Sequence, residues 1–270
     1  MNATIHADVA VIGGGSGGLS VAAGAVQMGA SVVLIEKGRM GGDCLNYGCV
    51  PSKSLIAAGH AAQTVRSAGR FGVNGHEPAI DVLKVRGHVR GVIAAIAPHD
   101  SVERFEELGV RVVQGAAVFT GPREVMADGQ RISARRFVIA TGSSPATLPI
   151  PGLDTVSYLT NETIFELDAR PEHLIVLGGG PIGLELAQAH RRLGARVTVV
   201  EAFRLLGRDD PDAVAVVKGR LEAEGIAVHE QAKVNRVAKA GNGVAVTIDG
   251  GPVIEGSHLL VAAGRRPNVN

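Results

Sequence analysis

Short apolar runs alternate with glycine-rich breaks along the chain, and one arrangement of the two occurs twice. Asp8-Val9-Ala10-Val11-Ile12 is a brief, mostly apolar run of the kind that forms a parallel strand covered on both faces. It leads into Gly13-Gly14-Gly15-Ser16-Gly17-Gly18. A helix of small residues over 19–28 follows, stopped by Gly29, and then a strand over 31–35 that ends at Glu36. The order recurs downstream as strand 174–177, turn Gly178-Gly179-Gly180-Pro181-Ile182-Gly183, helix 184–193 stopped by Gly194, strand 196–200 and Glu201. In both copies the acid stands 23 residues after the first glycine.

Each copy predicts a β-α-β unit around a G-x-G-x-x-G turn. The chemistry of that turn fixes the residue types. The first glycine (Gly13, Gly178) permits the tight turn, the second (Gly15, Gly180) lets backbone approach a pyrophosphate, and the third (Gly18, Gly183) lets helix pack on strand. The helix N-terminus offers unpaired N–H groups and a positive dipole end to phosphate, from Ser16 and Gly17 in one copy and from Ile182, after Pro181 at the helix start, in the other. Glu36, with Lys37 beside it, and Glu201 are placed to meet a ribose hydroxyl. Two dinucleotides are expected.

Between and after the units, residues 79–108 read as mostly helical. Short β-runs at 111–113, 116–119, 124–126 and 137–139 read as a small antiparallel meander, and 141–152 as a proline-bearing linker. A helix at 213–224 and strands at 226–228, 243–248 and 259–261 complete the second half. The predicted class is α/β, with two Rossmann-like three-layer domains, each with a parallel sheet and a small antiparallel meander. The domains fall at 1–148 and 149–264, and 265–270 begins a return to the first.

With 46% hydrophobic and 20% charged residues, this is a globular composition. A net charge of +1 gives no case for nucleic acid or an anionic membrane, and no tryptophan is present to build a base-stacking platform. No apolar run reaches the ~20 residues of a bilayer span. Residues 1–7 lack the basic and apolar regions of a secretory leader, so a cytoplasmic protein is expected. The histidines, among them His88, His99, His173 and His190, read as ordinary surface or helix residues.

The two cysteines are too few for a disulfide framework. They lie in Gly41-Gly42-Asp43-Cys44-Leu45-Asn46-Tyr47-Gly48-Cys49-Val50-Pro51-Ser52-Lys53, five residues apart. That spacing allows a disulfide where the backbone departs from helix, which Gly48 eases. It is not a zinc half-site, and no second pair completes one, so no metal site is expected. Two inert thiols or a redox dithiol remain. The neighbouring dinucleotide unit favours the dithiol, because a flavin can supply its electrons.

The run G-G-x-C-L-N-x-G-C-x-P-S-K, following one G-x-G-x-x-G and preceding another, resembles the class that holds dihydrolipoamide dehydrogenase, glutathione reductase and mercuric reductase. The similarity covers essentially the whole chain. Ala140-Thr141-Gly142 and Ala262-Ala263-Gly264-Arg265-Arg266-Pro267-Asn268 look like the family's two crossover loops. The resemblance implies FAD on the first unit, with Gly42, Asp43, Gly115, Ala116, Ala140, Thr141 and Gly142 also lining its site. It implies a nicotinamide nucleotide on the second, with Gly264 nearby. It makes Cys49 the flavin-facing thiol, Cys44 the thiol that meets substrate, Lys53 a cation beside the flavin ring, and Glu185 its partner. The implied activity passes electrons between NAD(P)H, FAD and a Cys44–Cys49 disulfide to a small or protein-bound disulfide such as lipoamide. Glu201 favours NAD(H) over NADP(H), because a carboxylate repels a 2′-phosphate; Arg204 is the nearby residue that would oppose this.

Two departures stand out. Asp43 replaces the family's usual threonine and is expected to raise the Cys44 pKa. Tyr47 replaces a small residue and narrows access. Relatives run about two hundred residues further, to a flavin-gripping Gly-Asp and a dimer domain bearing His-x-x-x-x-Glu, so a truncated chain of a homodimeric protein is expected. Two alternatives accompany the main reading. One is a mercuric reductase-like enzyme, whose terminal mercury-binding cysteines would lie past residue 270. The other is a nucleotide-binding fragment without turnover.

Overall fold

The computed structural model describes residues 3–269. Met1, Asn2 and Asn270 lie outside the described residues, and with them part of the stretch read for a leader and the last residue of the return segment. The chain packs into two units. One runs to Pro51 and adds Gly91–Ser144 and the segment from Pro267; the other comprises Ser52–Arg90 and Pro145–Arg266.

In the first unit, β1 (Ile5–Ile12), α1 (Ser16–Gln27) and β2 (Val32–Glu36) form the first β-α-β unit. After α2 (Gly42–Asn46), two helices, α3 (Cys49–Ser67) and α4 (Val82–Ile96), carry the chain out of this unit and back. Then come α5 (Val102–Glu107), β3 (Val110–Gln114), β4 (Val118–Gly121), β5 (Glu124–Ala127) and β6 (Gln130–Ile139). All six strands join one sheet in the order β3-β2-β1-β6-β5-β4. The expected meander is corrected in two respects. β3 lies parallel to β2, and β6 is parallel to β1, so antiparallel pairing is confined to β4 with β5 and β5 with β6. The cause is α5: a helical crossover returns the next strand parallel to the one before it.

Strand alternation gives this sheet two cores. Val11, Val32, Leu34 and Val110 pack with Leu19, Ala22 and Phe105 from α1 and α5. Ala10, Val33, Ile35 and Val113 join Val125 and Ile132 on the other face.

The short β7 (Ser143–Pro145) spans the passage to the second unit. There β8 (His173–Leu177), α6 (Pro181–Arg192) and β9 (Arg196–Val200) repeat the β-α-β arrangement. They are followed by α7 (Pro211–Ala223), β10 (Ala227–His229), β11 (Val234–Ala240), β12 (Gly243–Ile248), β13 (Val253–Gly256) and β14 (His258–Val261). The parallel sheet has the order β10-β9-β8-β14, and β11-β12-β13 form a separate antiparallel sheet. Ile175, Leu177, Leu259 and Val261 of the first sheet pack with Val237, Val244, Val246 and Ile248 of the second. The last strand, β15 (Arg265–Pro267), spans the passage back. No described helix is long and apolar enough to cross a membrane.

Two histidines read as ordinary are interior. His173 places Nδ1 between the Glu255 carbonyl (2.6 Å) and the Arg196 guanidinium (2.7 Å), with Nε2 on Thr198 Oγ1 (2.8 Å). His190, on α6, is buried, and burial, helped by the charge of His258, pushes its pKa down to about 4. Because this folded value lies below the ordinary one, the stability it confers is complete above pH 6.5 and is lost as pH falls toward 4. The protein is expected to be less stable at pH 4 than at pH 7 by about 3 kcal/mol on this account. Urea midpoints at the two pH values measure it, and His190→Leu should reduce the difference by about that amount.

Candidate functional site

The two glycine turns are built alike. Gly13 N donates to Ile35 O (2.8 Å) and Gly178 N to Val200 O (2.9 Å). Both first glycines have φ values only glycine adopts easily, +111° and +115°. A Cβ on Gly18 would lie 1.8 Å from Gly13 O, and one on Gly183 would lie 2.1 Å from Gly178 O. These contacts let α1 and α6 start tightly against β1 and β8.

Glu36 and Glu201 brace their turns in the same way. Glu36 accepts from Gly14 N (2.5 Å) and Gly38 N (2.6 Å); Glu201 accepts from Gly179 N (2.6 Å) and Phe203 N (2.8 Å). Five residues past each acid the chain closes back on the turn, with Gly41 N on Gly14 O and Leu206 N on Gly179 O, both 2.9 Å. Gly14 and Gly179, to which the sequence reading gave no role, pack against these acids and against Met40 and Leu205.

The turns fit dinucleotide phosphates. A Cβ at Gly17 or Gly180 would meet no neighbouring part of the protein within 4 Å, so packing against other elements does not account for glycine there. The N-termini of α1 and α6 carry no side-chain cap and no acid in the first turn, which leaves their positive ends uncompensated. A cleft of about 190 Å³ beside the first turn is lined by Gly13, Glu36, Lys37, Gly115, Ala116 and Thr141. Asn268, which also lines it, binds Thr141 twice: its Nδ2 donates to Thr141 O (3.0 Å), and its main-chain O accepts from Thr141 Oγ1 (2.6 Å). Its own N–H donates to Gly142 O (3.0 Å). The sequence reading placed Asn268 in a crossover loop but gave it no part in the site.

A larger cleft, about 590 Å³, borders the second turn at Gly178, Gly180 and Glu201 and includes Gly264. Its cations are Arg208 and Lys233. Arg204, named from the sequence, instead donates to Gly207 O (3.2 Å). Pro181 and Ile182 open α6.

The cysteines occupy two helices. Cys44 lies in α2 and Cys49 begins α3, with the break at Tyr47 and Gly48. Gly42 lies so close to Gly15 that a Cβ on it would fall 2.6 Å from Gly15 Cα, which ties the cysteine segment to the first turn. The Cys44 thiol donates to Cys49 sulfur, and Cys49 N–H donates to Cys44 sulfur. Burial, then the Cys49 sulfur beside it, pushes the Cys44 pKa up to about 11. The Asp100 carboxylate adds to the same rise. The Asp43 side chain is exposed, with Oδ2 over Gly48. Cys44 is half-buried and Cys49 exposed. One turn into α3, Lys53 Nζ donates to Glu185 Oε2 of α6 at 2.6 Å. No metal-ligating cluster occurs among the described residues.

A family model described as pyridine nucleotide-disulphide oxidoreductase matches residues 7–270. A mercuric reductase of Streptomyces lividans is 40% identical over 97% of this chain and 57% of its own length. The dihydrolipoyl dehydrogenase of Bacillus subtilis is 32% identical over 97% and 59%. Among solved structures, LpdA of Mycobacterium tuberculosis is 30% identical with a TM-score of 0.83, over 98% of this chain and 60% of that one. The chain thus spans a little over half the length of these relatives.

Proposed function

Because the chain belongs to the pyridine nucleotide-disulphide oxidoreductase family, we propose that it is the nucleotide-binding and dithiol part of an FAD-dependent reductase whose acceptor is a thiophilic metal ion of the mercuric kind. The observation that carries the redox reading is the sulfur-to-sulfur hydrogen bond between Cys44 and Cys49, in a segment tied to the first turn. FAD, when bound, supplies a carrier for the two electrons that leave a nicotinamide as hydride. The first turn, with Glu36, Lys37, Gly115, Ala116, Ala140, Thr141 and Gly142, would hold it. Exposed Cys49 suits the sulfur that faces the flavin. Cys44 keeps the proton of the reduced pair and gives it up as it takes the acceptor. Lys53, held by Glu185, would place a positive charge near the flavin ring.

The metal-ion acceptor is favoured because mercuric reductases of several bacteria match at 32–40% identity. Soft thiolates select such ions. The net reaction is Hg²⁺ + NAD(P)H → Hg⁰ + NAD(P)⁺ + H⁺. The second reading, a disulfide acceptor such as lipoamide, is supported by the match to dihydrolipoyl dehydrogenase. The test adds FAD to the purified chain and follows NADH and NADPH oxidation with Hg(II) or lipoamide. Oxidation that needs Hg(II) supports the first reading, and oxidation that needs lipoamide the second. No turnover with either, despite bound FAD, leaves a nucleotide-binding fragment.

We further propose NAD(H) as the preferred nucleotide, with Glu201 on the ribose. Losing a hydrogen bond to a charged group costs about 1.5–3 kcal/mol. Glu201→Ala should therefore weaken NADH binding at least about tenfold more than NADPH binding, measured by fluorescence titration. Equal losses would remove Glu201 from the ribose.

A further inference from the structure

Three phenylalanines of the chain are exposed, and Phe203 differs from the other two. It is 78% exposed, against 70% for Phe71 and 48% for Phe119. The other rings have partners. The Arg70 guanidinium lies 4.6 Å from the Phe71 ring centre, and Phe119 meets Phe137 edge-on at 5.1 Å. Phe203 has neither a ring nor a cation against it among the described residues. Its backbone is nonetheless held on both sides of the ring. Phe203 N–H donates to Glu201 Oε1 (2.8 Å), and Phe203 O accepts from Gln231 N (2.6 Å). A bare phenyl ring on tethered backbone offers a flat apolar face to a ligand, with two side-chain torsions left to fix.

The position of the ring says which ligand. Phe203 lines the 590 Å³ cleft of the second unit and is the only aromatic residue among the described residues that do so. The sheet order β10-β9-β8-β14 sets the sequence of groups across that cleft. Gly178 and Gly180 follow β8 in the middle. Ala263 and Gly264 follow β14 on one side; Glu201 and Phe203 follow β9, and Lys233 follows β10, on the other. A dinucleotide with its pyrophosphate on the turn and a ribose on Glu201 carries the base of that ribose on the β9–β10 side. We propose that the adenine of the nicotinamide nucleotide stacks on the Phe203 ring, which makes Phe203 a recognition contact for the coenzyme. The proposal rests on the reading of the second turn as the site of that nucleotide. The same carboxylate that would meet the ribose also holds the Phe203 N–H, so ribose and base would be met by one braced loop. The other charged groups of the cleft, Arg208 and Lys233, suit phosphate better than the face of a neutral base.

ADP-ribose carries the adenosine but no nicotinamide, so it tests the contact without turnover. Its binding to the chain saturated with FAD, which keeps it off the first turn, is read by calorimetry and by proton NMR. Adenine H2 and H8 should move upfield on binding, as protons over a phenyl face do; a guanidinium such as that of Arg208 produces no such shift. Phe203→Ala should weaken ADP-ribose about tenfold and abolish the shift. Its urea midpoint should stay at the parent value, because the side chain is exposed. Phe203→Trp should keep both the affinity and the shift. Parental affinity in Phe203→Ala, or no upfield shift in the parent, would overturn the stacking and leave the nucleotide site standing. ADP-ribose that does not bind the parent would instead remove the second turn as a nucleotide site, and the proposal with it.

Discussion

Gly18→Ala is expected to cost the chain more than about 3 kcal/mol and its ability to retain FAD. The added methyl would sit 1.8 Å from Gly13 O, far inside contact distance. Neither side can yield cheaply. Gly13 is fixed by its bond to Ile35 O, and a Cβ on it would itself lie 2.2 Å from Ala140 O, so the turn is boxed in by β2 and the strand end of β6. Overpacking in a core typically costs 1–3 kcal/mol, and a clash against fixed backbone lies at or beyond the top of that range. Gly17→Ala is the control. Its Cβ meets no protein atom, and alanine raises helix propensity by up to about 1 kcal/mol, so stability should hold or rise. If Gly17 faces the pyrophosphate, FAD retention should still fall. Urea midpoints and flavin absorbance after gel filtration read the two effects separately. A Gly18→Ala protein as stable as the parent would mean that α1 starts further from β1 than described.

The second large effect concerns the sulfur pair. Cys49→Ser and Cys44→Ser should each lower acceptor-dependent NAD(P)H oxidation at least about a thousandfold, the order seen when one member of a catalytic unit is removed. Transfer to a one-electron dye such as ferricyanide, which needs no thiol, should survive in both. The variants differ in one respect. In the reduced parent, burial and the Cys49 sulfur hold Cys44 protonated up to about pH 11. Cys49→Ser removes the second cause and leaves the first. Alkylation of Cys44 by iodoacetamide should then reach half its maximal rate at a lower pH than in the parent. An unchanged profile would mean that burial alone sets the Cys44 pKa. Equal acceptor-dependent rates in variant and parent would remove the dithiol from the reaction.

Much of this arrangement was legible in the residues, because the turns are defined by steric exclusions. Only glycine fits at Gly13, Gly18, Gly178 and Gly183, and the flanking apolar runs are short enough to be strands. What was missed has recognisable causes. The 19-residue helix α3 begins in a segment punctuated by Gly41, Gly42, Gly48 and Pro51, which reads as loop; its later turns, Ala57-Ala58-Gly59-His60-Ala61-Ala62, have no marked apolar stripe. Strand β11 alternates apolar residues with Asn235, Arg236 and Lys239, and β13 is only four residues long. The parallel placement of β3 is a pairing across more than seventy residues, which local pattern does not encode. His190 looked like a surface residue because polar residues on helices usually are, and nothing local signals that its nitrogen is enclosed.

The likeness of the two turns has a consequence for selectivity. FAD and NAD share an adenosine diphosphate half, and on the proposed function each turn would meet that half with backbone N–H groups, a helix end and one glutamate. Neither turn by itself distinguishes one coenzyme from the other. Discrimination must come from what flanks them: the cysteine segment joined through Gly42 on one side, and Arg208 and Lys233 in an open cleft on the other. Free ADP should therefore compete for both positions, and exchanging the two hexapeptide turns should alter coenzyme choice far less than exchanging their surroundings.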